Sequence, residues 1–152
     1  MDKKYIRDDW VDKFWMNLNK TSQMLRAAFN EVVDQTEHQI LAEHWVILMS
    51  IYQKGPLTQI EIARLNYKHT PSISRSLNHL EKRGLLIRKS SKEDKRFVKV
   101  HLQPSGIKLI EDLYPAVLAV RIRSWASLSK KDFDHMHETL KKVQSNLQKE
   151  FE

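Results

Sequence analysis

The stretch "LTQIEIARLNYKHTPSISRSLNHLEKRG", from Leu57 to Gly84, decides the fold. It opens with a helix-start signature. Thr58 can cap, Glu61 three residues on completes a capping box, and Leu57 can staple to Ile62. A short helix is expected to end near Asn66, with "NYKH" as a turn. A second helix then starts at "TPSISR", with Thr70 as N-cap, Pro71 at the first helical position and Gly84 just past the end. Ile73, Leu77 and Leu80 form its buried stripe. Ser72, Ser74, Arg75, Asn78 and His79 are left on its other faces.

A hairpin comes next in the chain. "LLIRK" and "RFVKVHL" flank "SSKED", and in the second strand Val98, Val100 and Leu102 share one face. Short helix, turn, helix and hairpin in that order make a winged helix-turn-helix. A helix fits the major groove of B-DNA, and residues near its N-terminus reach base edges. Thr70, Ser72 and Ser74 offer hydroxyls there, Arg75 a guanine reader or phosphate clamp, and Asn78 an adenine or phosphate contact. At the wing, Arg96 suits a narrow A·T minor groove. Asp94 can orient it by a charge-assisted hydrogen bond, and Lys92 and Lys95 suit phosphates.

The charge distribution agrees. Residues 64–99 carry eleven Lys and Arg against three acids, a local excess of +8 in a chain of net charge +7, leaving −1 elsewhere. Such a patch attracts polyanions. With 152 residues, 41% of them hydrophobic and 30% charged, the chain suits one globular domain. Only 3 Gly and 4 Pro favour long helices over an all-β design. The absence of Cys rules out disulfides, thiolate nucleophiles and cysteine redox switches. No run of 18 apolar residues is present, and "MDKKYIRDDW" lacks a signal-peptide core. A cytoplasmic protein is expected.

Around the centre lie amphipathic helices. One is expected over about 8–33, with Trp10, Phe14, Leu18, Leu25, Phe29 and Val32 on one face, and another from Leu41 to Gln53. A long helix is expected from Gly106 to Ser124, kinked or broken at Pro115. The last is capped by Ser129 with Asp132 and stapled by Leu128 and Phe133. Its Phe133, Met136, Leu140, Val143 and Leu147 form a coiled-coil seam. The expected class is mainly α with a small antiparallel β-hairpin wing. Residues 1–152 would form a single domain, with 1–35 and 106–152 as dimerisation helices and 40–103 as the DNA-binding lobe. The apolar seam and the N-terminal aromatics exceed what one thin subunit can bury, which points to a homodimer with half-sites about one helical turn apart.

The runs "LEKRGLLIR", "KEDKR" and "VHLQPSG" resemble the core of the MarR (multiple antibiotic resistance regulator) family of bacterial transcription factors. The likeness is specific from about Leu57 to Ile110. It implies a homodimer on a roughly palindromic operator and, often, release by a small ligand; the first reading of the function is a repressor. By position it places Ser72, Ser74, Arg75 and Asn78 on the recognition helix, and Asp94 and Arg96 as the wing pair. Two features depart from the family. "LNYKH" replaces the usual Leu-Gly after the short helix, and Leu102-Gln103 replaces the usual Leu-Thr.

Trp15, Phe29, His44, Trp45, Tyr52 and Tyr67 are the aromatic residues available to line a cleft between the dimer helices and the DNA-binding lobe. A small aromatic or phenolic effector would suit it. None of the seven His has zinc-like spacing, and no Gly-rich phosphate loop or nucleophile elbow is visible. No cofactor, metal or enzymatic activity is expected. The rival reading is a winged helix that binds RNA or docks on a protein without an operator.

Overall fold

The computed structural model describes residues 9–90 and 97–148. The element order is α1 (Asp9–Asp34), α2 (Ala42–Lys54), β1 (Leu57–Thr58), α3 (Gln59–Leu65), α4 (Thr70–Lys82), β2 (Leu86–Ser90), β3 (Val98–Leu102), α5 (Pro104–Trp125) and α6 (Lys130–Gln148). The fold is mostly helical with a small antiparallel sheet. The chain packs as two compact units, residues 1–120 and 121–152.

The hairpin gains a third strand that the sequence did not announce. The sheet order is β1-β3-β2, so β3 is central. Leu57 pairs with Val100 and Thr58 with Lys99. On the other side Leu86 pairs with Leu102 and Ser90 with Val98. Along β3, Val100 is buried while Val98 is exposed. The strand leaves the core as it approaches the wing.

The α3 start forms as expected. Thr58 Oγ1 accepts the Glu61 N–H at 3.2 Å, and the Glu61 carboxylate accepts the Thr58 N–H at 2.7 Å. That backbone bond, then the Thr58 hydroxyl, holds the Glu61 carboxyl below its usual range. Ile62 of α3, Ile73, Leu77 and Leu80 of α4, and Ile47 and Leu48 of α2 are almost fully buried. They meet Leu86, Val100, Ile110 and Leu113 in one core. Burying such a side chain contributes about 1.5–3 kcal/mol, so this cluster fixes the angle between α3 and α4.

Two expectations need correction. Thr70 is the first helical residue of α4, and the N-cap position is His69, which makes no side-chain cap bond. Its carbonyl instead accepts the N–H groups of Ser72 and Ile73. Pro71 still falls in the first turn, where its missing N–H costs nothing. At Pro115 the break, one of the two expected outcomes, is absent, since α5 runs on as one helix. The apolar positions Leu109, Ile110, Leu113, Val117 and Val120 are buried along it, and this packing outweighs one lost backbone bond.

In the second unit, the Ser129 hydroxyl and N–H both donate to Asp132 Oδ2, at 2.7 and 2.9 Å. These bonds hold the Asp132 carboxyl below its ordinary value. The rings of Trp125 and Phe133 are tilted against each other at 5.7 Å.

Candidate nucleic-acid interface

α4 presents a clean division. Its inner stripe is buried, Ser76 included, which lets the helix lie close to the core. Thr70, Arg75, Asn78 and His79 are exposed, and Ser72 and Ser74 are half-buried. The Gln59 amide donates to the Thr70 carbonyl at 3.4 Å, tying the start of α3 to the start of α4. The hydroxyl and guanidinium set read from the sequence therefore occupies the first two turns of a supported helix.

His79 differs from the rest. It lies in the last turns, and its ring stacks on His44 of α2 at 4.7 Å and 15°. His44 is buried, and its Nδ1 accepts the Leu41 N–H at 3.3 Å. Burial, with the His79, Arg83 and Lys68 charges, pushes the His44 pKa down, against the opposing pull of Glu43. The expected pocket residue His44 is thus a brace for α4.

Several bases of the central segment are spent on the fold. Lys68 Nζ donates to Glu43 Oε2 at 2.7 Å, and this bond is the first cause of the lowered Glu43 pKa. Arg83 donates to the carbonyls of Gln39 and His38 at 2.9 and 2.6 Å, holding the loop before α2. Arg88 pairs with Glu81, which also accepts the Arg88 N–H at 3.0 Å. A charge count along the chain cannot separate these from bases that face outward. The Lys68 partner lies 25 residues away.

The wing residues Lys92, Asp94, Lys95 and Arg96 lie outside the described residues. At the wing's root, register sets Lys89 directly opposite Lys99. Like charges facing across a strand pair are destabilising. A bound anion would relieve them, and no reading of one strand at a time could find this pair.

The aromatic set does not converge on one cleft. Trp15 is 65% exposed on α1 and Tyr67 is 76% exposed in the α3–α4 turn. Phe29 and Trp45 are core residues whose rings meet at 5.9 Å. Their helix spacing reflects packing between α1 and α2. Tyr52 does line an open cleft of about 370 Å³, with Met49, Gln53, Ile110, Glu111, Tyr114 and Pro115. Among the described residues no His, Asp and Glu cluster could hold a metal, and no helix is long and apolar enough to cross a membrane.

A short helix, a tight turn and an outward-facing helix, followed by a hairpin with a like-charged root, define a winged helix-turn-helix of the DNA-binding type. Residues 40–98 match the model of the MarR family. Over 115 residues the chain is 28% identical to the uncharacterized HTH-type transcriptional regulator YkoM of Bacillus subtilis, covering 75% of this chain and 74% of that protein. The crystal structure of an S. aureus MepR-DNA complex is similar at TM-score 0.77 and 26% identity, covering 86% of this chain and 93% of the other. CouR from Rhodococcus jostii, solved bound to p-coumaroyl-CoA, shares the fold at TM-score 0.80 and 20% identity, covering 90% and 95%. Over residues 40–98 the chain is thus similar to the MarR family, as its central motifs imply, and the proteins it matches include an HTH-type transcriptional regulator and a regulator solved on DNA. Members of this family are regulators of transcription and not enzymes.

Proposed function

We propose that the protein is a homodimeric repressor that reads a pseudo-palindromic operator and is released by a small ligand. The observation that carries the reading is the division of α4, with Ile73, Leu77 and Leu80 fully buried and Thr70, Arg75 and Asn78 exposed. In this reading Thr70, Ser72, Ser74, Arg75 and Asn78 enter the major groove, and His79 stands at the rim, braced on His44. Lys92, Lys95 and Arg96 of the wing contact phosphates and the minor groove, with Asp94 aiming Arg96. The Lys89 and Lys99 pair favours a phosphate at the wing's root. The DNA complex of MepR, a protein of like fold, supports this use of the surface.

Dimerisation is supported by apolar side chains that the single chain leaves open. On α1, Trp10, Phe14, Trp15 and Met16 are 71%, 49%, 65% and 69% exposed. On α6, Phe133, Val143 and Leu147 are exposed as well. Helices 1–35 and 106–152 would carry the interface. For the ligand, the cleft beside Tyr52 and Tyr114 suits a small aromatic or phenolic molecule. CouR, bound to a coumaroyl thioester, supports a ligand of that class.

Titration of the protein into labelled duplexes tests the operator. An inverted repeat recovered from bound genomic fragments should bind far more tightly than a scrambled duplex, with affinity falling steeply with salt. Equal affinity for all duplexes refutes the operator. Arg96→Ala should weaken binding most at A·T-rich flanks, and a monomer in sedimentation at micromolar concentration refutes the dimer.

A further inference from the structure

Residues 35–41 join α1, a proposed dimerisation helix, to the part of the chain proposed to read DNA. The segment leaves α1 at Asp34 and enters α2 at Ala42. The Thr36 hydroxyl donates to the Val33 carbonyl at 2.8 Å and accepts the His38 N–H at 3.2 Å. These bonds tie the segment to the end of α1. On one side, His38 Nε2 stands 3.5 Å from Asp112 Oδ2 of α5. On the other, Arg83 Nη1 donates to the Gln39 carbonyl at 2.9 Å and Arg83 Nη2 to the His38 carbonyl at 2.6 Å. Two successive carbonyls thus share one planar guanidinium, which fixes angle as well as distance.

Arg83 is the C-cap residue of α4, a helix of 13 residues that opens at Thr70. The two residues therefore stand at opposite ends of the helix, about 20 Å apart. Between them Ile73, Leu77 and Leu80 hold α4 to the core along one buried stripe. A fork at the far end of such a rod sets the direction in which the near end points. Other polar ties of α4 run elsewhere. Glu81 bonds Arg88 of β2, His79 stacks on His44 of α2, and the Thr70 carbonyl accepts from Gln59 of α3. All of these stay within the DNA-reading part. The Arg83 fork instead joins α4 to the segment leaving α1.

We propose that Arg83 is a positioning residue for operator recognition, whose fork sets α4 relative to the dimerisation helices and so selects the spacing of the two half-sites without touching DNA. The proposal rests on the homodimer and its palindromic operator. Two recognition helices must meet half-sites about one helical turn apart. One added base pair turns a half-site by roughly 35° and moves it by about 3.4 Å. A dimer whose α4 helices are held in direction rejects such an operator. A dimer whose α4 helices can swing follows it. That dimer also binds its own operator more weakly, because fewer molecules hold both helices ready.

Three duplexes are titrated by fluorescence anisotropy at several salt concentrations: the inverted repeat recovered from bound genomic fragments, the same repeat with one base pair added at its centre, and a scrambled sequence. Wild type, Arg83→Ala, Arg83→Lys and Glu81→Ala are compared, each below its melting range. The wild type should lose at least roughly tenfold in affinity on the extended repeat, as for one mismatched base pair. Arg83→Ala should bind the original repeat roughly tenfold more weakly than the wild type. It should lose no more than about twofold further on the extended one. Its salt slope should match the wild type, because no phosphate contact is removed. Arg83→Lys keeps the charge but not the fork and should behave as Arg83→Ala does. Glu81→Ala loosens α4 from β2 only and should discriminate like the wild type. Spacing discrimination retained in Arg83→Ala or restored in Arg83→Lys overturns the proposal. A salt slope reduced by about one in Arg83→Ala also overturns it, by making Arg83 a phosphate contact. If the wild type itself binds both spacings equally, the dimeric operator reading fails and the positioning role falls with it. A wild type that discriminates beside an Arg83→Ala that does the same refutes the positioning role alone.

Discussion

Gly106→Ala sets space against backbone conformation as the reason for a glycine. A Cβ at Gly106 would lie 2.1 Å from the Leu85 carbonyl oxygen, 3.1 Å from its carbon and 3.4 Å from Leu102 Cδ2. The obstacle is main chain, so no rotamer change can clear it, and roughly 1 Å of backbone displacement is needed. The same Leu85 oxygen accepts the Gln103 N–H at 3.0 Å, closing the base of the wing onto α5. Overpacking of a rigid site costs about 1–3 kcal/mol, and this site belongs at the upper end. Weakening the Gln103 bond adds about 1 kcal/mol. A loss of ~3–4 kcal/mol is therefore expected, against a total of about 5–15 kcal/mol for a domain. Gly84→Ala is the control. Nothing lies within 4 Å of a Cβ there, but φ is +69°, so only the left-handed penalty of about 1 kcal/mol applies. Urea denaturation at one fixed protein concentration, monitored by far-UV circular dichroism, gives both values from the midpoints. A smaller loss for Gly106→Ala than for Gly84→Ala would refute steric contact as the reason for Gly106.

Other perturbations act on contacts already described. His44 is held below its ordinary pKa of about 6.5, so the unfolded chain takes up its proton first. Stability should be full above that pH and fall as pH drops through the folded value. His44→Gln should melt with a smaller loss between pH 7 and pH 5, and an identical pH profile would count against the brace. Thr58→Ala removes the Glu61 N–H acceptor and should cost about 1 kcal/mol in urea. Glu81→Ala leaves both the Arg88 guanidinium and its N–H without their shared carboxylate. About 1 kcal/mol is expected for this partly exposed pair, with DNA affinity measured below the melting range unchanged.

Local signals were readable and distant ones were not. The capping boxes at Thr58 and Ser129 each span three residues, so their side chains announce the helix starts directly. The buried stripe of α4 follows from period alone. β1 escaped because a two-residue strand has no periodicity, and its pairing with Val100 and Lys99 crosses the whole of α3 and α4. Phe29 and Trp45 have the spacing of a pocket wall and of a core alike, and only the packing of α1 on α2 chooses between them. Lys68 and Arg83 counted toward a basic patch because Glu43 and the carbonyls of His38 and Gln39 are remote in sequence. Tyr67 was read as a cleft residue because an aromatic side chain in a turn gives no hint of a left-handed backbone, here at φ +48°.

Thr58 belongs at once to β1, paired to Lys99, and to the cap of α3, bonded to Glu61. The wing and the helix beneath the recognition helix therefore share a single joint. In the proposed mode of DNA binding, a displacement of β3 would reach both β2, its partner on one side, and the first turn of α3 through this joint. The reach of the wing and the seating of α4 are then adjusted together. One residue inserted between Pro56 and Gln59 would therefore disturb the β1–β3 pairing and the α3 cap together.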